Sequence, residues 1–180
     1  MILALLCLLS AAPAADTTDT ERARKAEVLR LSDQLTRFAT DGKRSGVERT
    51  YQQLLAIEPR LDPALHITAA RAAQERGDAL LTLARLQRVP QGSPGYAGAA
   101  ETLQGLITRY GYVRVSAPPG TVLEGPARFA PMERAAISFA AEVVAAEGHF
   151  VGLLPAGSYV IGGEPLAVVE AQTANAVLSD

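Results

Sequence analysis

The chain has 180 residues, 17 Lys plus Arg against 19 Asp plus Glu, and a formal net charge of −2. This length suits one ordinary domain or two small ones that share a core. The charge balance argues against nucleic-acid binding, which needs clustered basic residues, and a single cysteine with two histidines gives no disulfide and no zinc-ligand spacing. All the basic residues lie within residues 1–134, whereas residues 135–180 carry five acids. We interpret this acidic half as a solvated surface rather than an acidic docking face.

The first 15 residues have the order of parts of a cleavable secretory signal. An apolar run at residues 2–9 leads to a small-x-small pattern at residues 12–14. The run is about half of the roughly 20 residues that a membrane-spanning helix needs. No basic residue precedes Arg22, so an atypical signal and a start site further upstream both stay open. We expect a periplasmic or secreted protein without a transmembrane anchor after processing.

Residues 16–109 predict about five helices separated by turn signals. Thr18 with Glu21, and Ser45 with Glu48, have the spacing of a capping box. Apolar residues then recur at helical intervals; they are Val28, Leu31, Leu35 and Phe38 in the first helix and Val47, Tyr51, Leu54 and Leu55 in the second.

The next helices are bounded by clear start and stop residues. Asp62 before Pro63 predicts the start of the third helix, and Gly77 predicts its end. Asp78 predicts the cap of a fourth helix that runs towards Pro90, with an apolar stripe of Leu80, Leu83, Ala84 and Leu86. A fifth helix is expected over about residues 97–109.

The turns between these helices repeat along the chain. Gly42 and Gly77 lie 35 residues apart, and the helices that follow them close at Pro59 and Pro90. This arrangement resembles tetratricopeptide helix pairs, and Ala69 with Gly77 matches their small packing residues. A generic five-helix bundle is an equally good interpretation.

From Tyr110 the pattern changes to short apolar runs punctuated by proline and glycine, which predicts strands. The Gly162 and Gly163 pair predicts a tight hairpin turn. Residues 131–147 predict an amphipathic helix that carries Ile137 and Val144 on its apolar side. The polar closing residues 171–180 are expected to be a frayed tail.

Two blocks in this half resemble a PEGA-like domain, a small transthyretin-like β-sandwich. The matching residues are Ser116, Pro118 or Pro119, Gly120, Val122 and Gly125 in the first block, and Leu154, Pro155, Gly157 and Tyr159 in the second. The resemblance implies an α+β fold, with tetratricopeptide-like hairpins at 16–109 and a PEGA-like sandwich at 110–170 that contains an inserted helix. As a whole, the chain is similar to exported proteins of predatory and social soil bacteria of the myxobacterial type.

Residues with catalytic potential are few. His66 and His149 are the only imidazoles, and we interpret both as structural or surface residues rather than acid–base catalysts. The segment around Ser158 lacks the second glycine of a nucleophile elbow. We therefore expect no enzyme activity, no metal and no cofactor.

Two binding functions remain open. The first is a non-catalytic scaffold that holds an envelope protein or peptide in a helical groove, with Arg30, Arg37, His66 and Ala70 as candidate lining residues. The alternative is binding of peptidoglycan or another cell-wall glycan through the β domain, with Tyr112 and Tyr159 as candidate stacking residues.

Overall fold

The structure is a computed structural model that describes residues 17–126 and 128–178. The predicted signal segment lies outside the described residues. Within them, six helices and two three-stranded sheets give an α+β fold, which confirms the predicted class.

Five helices make up the first part of the described chain, as the turn signals predicted. Their bounds are α1 Thr17–Thr40, α2 Arg44–Ile57, α3 Pro63–Arg76, α4 Ala79–Leu86 and α5 Tyr96–Arg109. Short connections pair α1 with α2 and α3 with α4, and α1 also packs on α3. The predicted stripes of α1 and α2 form the main core of this region, in which Leu31, Leu35, Tyr51 and Leu54 are buried.

The caps of the middle helices follow the sequence signals. The carboxylate of Asp62 accepts a hydrogen bond from the backbone N–H of Ala64, and that of Asp78 accepts one from Leu81. Gly77 ends α3 in the left-handed region at φ +92°. The capping box predicted for α2 is wrong, because α2 begins at Arg44 after Lys43, which makes no side-chain cap bond.

The β region contains six strands in two sheets. Their bounds are β1 Tyr110–Ser116, β2 Leu123–Glu124, β3 His149–Pro155, β4 Gly157–Ile161, β5 Glu164–Val168 and β6 Thr173–Val177. The strand orders are β3-β1-β6 and β2-β4-β5. Gly162 and Gly163 form the turn between β4 and β5, both at positive φ, as their sequence predicted.

A sixth helix, α6 Pro131–Glu147, occupies the position expected for the inserted helix. Its buried residues Ala140 and Val144 pack in one core with the inner faces of both sheets, including Val113 and Tyr159. The helix contacts β2 of one sheet and β3 of the other, so it fills the space between these two edge strands.

The prediction of a frayed tail at residues 171–180 is wrong for five of these residues. Thr173–Val177 forms β6, which pairs in parallel with β1. Backbone hydrogen bonds from Tyr112 N–H to the Gln172 carbonyl, and from Leu178 N–H to the Ser116 carbonyl, extend this pairing at both ends. The closing segment is therefore part of the sheet.

The helical and β regions share a packed junction. Helix α5 leads directly into β1, where Tyr110 is buried beside Leu106, Ala79 and Ala136. Gly77, at the end of α3, lies so close to α6 that a Cβ atom there would overlap the carbonyl of Ala135. A larger residue at this turn would separate the two regions.

Candidate functional site

An open cleft lies between α3 and α5, with α4 beneath it. It consists of two adjoining cavities of about 330 Å³ and 480 Å³. Both are lined by Gln74, Thr82, Glu101 and Thr102, so they form one continuous cleft. Each has the size of a small-ligand pocket, for which a few hundred Å³ is typical.

The larger cavity is open because small residues face it. Helix α5 begins after Gly95, which adopts φ +81°, and Gly98 lies one turn further along. A Cβ atom at Gly98 would meet nothing within 4 Å. Glycine is a weak helix former and no contact within 4 Å of an added Cβ atom requires it here, so packing within the chain does not account for this residue. Its effect is to leave the cleft wide at this point.

The other end of the cleft reaches the junction with the β region. Arg109 lies there, with its Nη1 3.7 Å from Oε1 of Glu133 on α6. Burial raises the pKa of Tyr110 to about 12, so the phenol stays neutral. Met132 on the rim is about half exposed. This end therefore combines the half-exposed Met132 with the Arg109–Glu133 pair and a neutral phenol.

Two of the four residues predicted for a helical groove have almost no exposed surface. His66 is only 4% exposed and Ala70 only 1%, because both face the interior of the helical region. His66 Nδ1 is 2.7 Å from the hydroxyl of Tyr51, to which it is hydrogen-bonded. The prediction that His66 contacts a partner directly is therefore wrong, whereas Ala70, although almost fully covered, belongs to the lining of the larger cavity of the α3–α5 cleft.

The other two predicted groove residues lie on α1, away from the α3–α5 cleft. Arg30 and Arg37 border a shallow depression next to Phe38. Arg30 is already engaged by Glu27, at 2.6 Å, and by Gln34, at 3.1 Å. Of the predicted groove residues only Ala70 lines the cleft, because the helices that form it are adjacent only in the fold.

The two tyrosines predicted to stack on a glycan have different surroundings. Tyr159 is buried, and its hydroxyl donates to the Pro155 carbonyl at 2.7 Å, so it cannot stack on a ligand and that prediction is wrong. Burial also raises its pKa well above the ordinary value. Tyr112 is only partly buried, on the outward face of β1, with the guanidinium of Arg114 5.4 Å from its ring centre.

A buried arginine was not predicted from the sequence. Arg85 on α4 pairs with Glu48, donates to the Ala69 carbonyl at 2.7 Å and stacks on Tyr51 at 4.7 Å. Partial burial alone would raise the pKa of Glu48, but hydrogen bonds from Arg85 and Gln52 outweigh it and lower this pKa. The group joins α2, α3 and α4 beneath the cleft.

The remaining residues with catalytic or metal-binding potential do not lie close together. His149 is exposed beside Glu147, with Nε2 and Oε2 3.3 Å apart, and His66 is enclosed in the helical core. Across residues 17–126 and 128–178, no three His, Cys, Asp or Glu side chains come together in a way that suits a metal ion. None of the helices in this part of the chain is both long and apolar enough to cross a membrane.

Comparison of the chain with protein-family models, with curated proteins and with solved structures gave no match.

Proposed function

We propose that the protein is a non-catalytic interaction protein of the cell envelope that holds an extended peptide segment of a protein partner in the α3–α5 cleft. The observation that carries this proposal is the continuity of the two cavities, which share four lining residues. A continuous open cleft suits an extended chain better than a compact small molecule, which is normally enclosed on most sides.

Polar groups along the cleft support binding of a peptide backbone. Gln74 borders both cavities, and its amide makes no hydrogen bond within the described residues. An amide side chain can donate to a peptide carbonyl and accept from a peptide N–H at the same time. The hydroxyl of Thr102 donates to the Gly98 carbonyl at 3.0 Å, which leaves its oxygen free to accept.

The arrangement of the helices and the sequence signals support binding of a protein partner in the cell envelope. Two helix pairs, α1 with α2 and α3 with α4, are followed by α5. This arrangement resembles tetratricopeptide units, which present extended binding surfaces. The signal-like order of residues 1–15 supports export, and the PEGA-like blocks support a second module suited to the envelope. On this proposal, the helical region binds the partner and the β region stabilises it through the packed junction.

The test is to block the cleft without damaging the fold. Gly98 lines the larger cavity with open space beside it, so Gly98→Gln adds a side chain at the cleft, and because glutamine favours helices more than glycine we expect the fold to be kept. Gly105→Gln is the matched control, since Gly105 lies in the same helix and borders neither cavity; its Cβ atom would lie 3.1 Å from Nη2 of Arg109, at the opposite end of the cleft from Gly98. A phage-displayed library of random dodecapeptides is selected on the unaltered full chain.

Selected peptides should bind Gly105→Gln as they bind the original chain, and should lose at least tenfold in affinity for Gly98→Gln. Equal binding to both variants would place the peptide elsewhere and contradict the proposal. So would a selection that yields no specific dodecapeptide, because an open cleft built for extended chains should find ligands in such a library.

A second candidate function is glycan binding through the outer face of β1. The observation that favours it is the partly exposed ring of Tyr112 beside the exposed Arg114. Co-sedimentation of the full chain with insoluble peptidoglycan tests this candidate. Retention that disappears in Tyr112→Ser, but persists in Gly98→Gln, would favour the glycan function over the peptide function.

A further inference from the structure

Each wall of the cleft carries one charged side chain without an ionic partner. On α3, Glu75 pairs with Arg44 at 3.7 Å and Arg76 with Asp78 at 2.8 Å. Arg71 is the charged residue of α3 that makes no ion pair within the described part of the chain.

The opposite wall has the opposite charge. On α5, Arg109 lies 3.7 Å from Glu133, whereas Glu101 makes no ion pair with a described residue. Arg71 and Glu101 both line the larger cavity, and Gln74 lines it as well. The cleft therefore presents an unpaired cation on one wall and an unpaired carboxylate on the other.

We infer that the cleft selects bipolar peptide segments, with an Asp or Glu that meets Arg71 and a Lys or Arg that meets Glu101. This inference rests on the proposed peptide-binding function. The planar guanidinium can hold a carboxylate with two parallel hydrogen bonds, and a lysine ammonium or arginine fork suits the free carboxylate opposite. The Gln74 amide forms hydrogen bonds with the peptide backbone between the two charged positions.

Complementary charge mainly provides specificity at such a site. Exposed ion pairs contribute modestly, so each matched charge should improve affinity by at most about fivefold at low salt. The gain should shrink as ionic strength rises, because salt screens exposed charges. A neutral peptide would bind through its backbone alone.

The test uses four pools of synthetic dodecapeptides on the full chain, measured by fluorescence anisotropy. The pools carry one acidic residue, one basic residue, both, or neither, at otherwise randomised neutral positions. We expect the bipolar pool to bind severalfold more tightly than the neutral pool at low salt. Arg71→Glu should abolish the advantage of the acidic residue alone, and Glu101→Arg that of the basic residue alone.

The exchanged variant Arg71→Glu with Glu101→Arg provides the control for folding, since it keeps the net charge. It should still prefer the bipolar pool, but individual peptides selected from that pool should bind it best with the order of their two charges reversed. Neutral and bipolar pools that bind equally would overturn the inference.

A contact between Arg71 and Glu101 themselves predicts a different result, in which either single variant opens the cleft and tightens binding of every pool. That result would also overturn the inference. The proposed function has a separate readout in Gly98→Gln. If this variant loses all four pools while charge has no effect, peptide binding stands and charge selection fails; if no pool binds the original chain, both fail.

Discussion

The hydroxyl oxygen of Tyr51 lies 2.7 Å from Nδ1 of His66, and the two rings meet edge to face with their centres 5.8 Å apart. This pair connects α2 with α3 in the buried interior. Burial lowers the pKa of His66, the positive charge of Arg88 lowers it further, and Asp62 offsets part of the effect. A proton on this imidazole is therefore unfavourable in the folded protein.

The first prediction is that the protein becomes less stable in mildly acidic solution. The folded pKa of His66 is below the unfolded value of about 6.5, so the unfolded chain binds more protons. The contribution of the neutral His66 to stability is complete above the unfolded pKa, and it is lost as the pH falls through the folded pKa. Urea unfolding between pH 7.5 and 5 should show this decline, and His66→Gln should reduce its slope.

His149 provides the control for this measurement. It is exposed, with its Nε2 3.3 Å from Oε2 of Glu147, so His149→Gln removes an imidazole that lies outside the core. An equal effect of the two substitutions would contradict the assignment to His66.

The second prediction concerns the asymmetry of the Glu48–Arg85 pair. The side chain of Arg85 is 3% exposed and that of Glu48 is 28% exposed. Glu48→Ala leaves a buried guanidinium without its counter-charge, which should cost about 3 kcal/mol. Arg85→Met should cost less, about 1–2 kcal/mol, because water can reach the remaining carboxylate and the thioether chain fills the space.

Denaturant unfolding of both variants measures this difference. The exposed pair Arg22–Asp19 is the control, and Asp19→Asn should leave stability unchanged within error. A larger loss for Arg85→Met than for Glu48→Ala would show that packing, not the unpaired charge, dominates at this position.

The third prediction tests the contact between the helical and β regions. In Gly77→Ala the alanine must adopt a left-handed backbone conformation, and its Cβ atom is forced against the carbonyl of Ala135. The substitution should therefore lower the free energy of unfolding by about 3 kcal/mol or more. Gly42→Ala is the matched control: it has φ +67° but nothing within 4 Å of the added atom, and should cost about 1 kcal/mol. Equal losses in thermal unfolding would mean that Gly77 does not pack on α6.

Local signals made most helix boundaries predictable. Asp62, Pro63, Gly77 and Asp78 act through their own backbone or their nearest neighbours, so the bounds of α3 and the start of α4 follow from them. The α4 stripe was predicted less well, because a leucine-rich face was expected to be buried. Within α4 the buried residues include Thr82 and Arg85, while Ala84 is exposed.

An arginine in a short helix normally indicates a solvated face, and only the tertiary fold brings Glu48 and the Ala69 carbonyl to Arg85. The α3–α5 cleft was equally unpredictable, since it depends on the spacing between helices that are distant in sequence. Strand β6 was missed for a related reason: its inward residues are alanines, which have weak strand preference, and its partner β1 lies about 60 residues earlier.

The fourth prediction follows from this unexpected strand. In β6, Ala176 faces inward and packs against the core that the two sheets share, whereas the adjacent Asn175 faces outward beside Arg114. Ala176→Asp places a carboxylate in the core and should destabilise the protein by about 1–3 kcal/mol. Asn175→Asp should change stability by less than about 0.5 kcal/mol, since it puts the same charge on the open face. Thermal unfolding of the two variants decides between a strand and a frayed tail: a strand gives unequal losses because its residues alternate between faces, and a tail tolerates both substitutions equally.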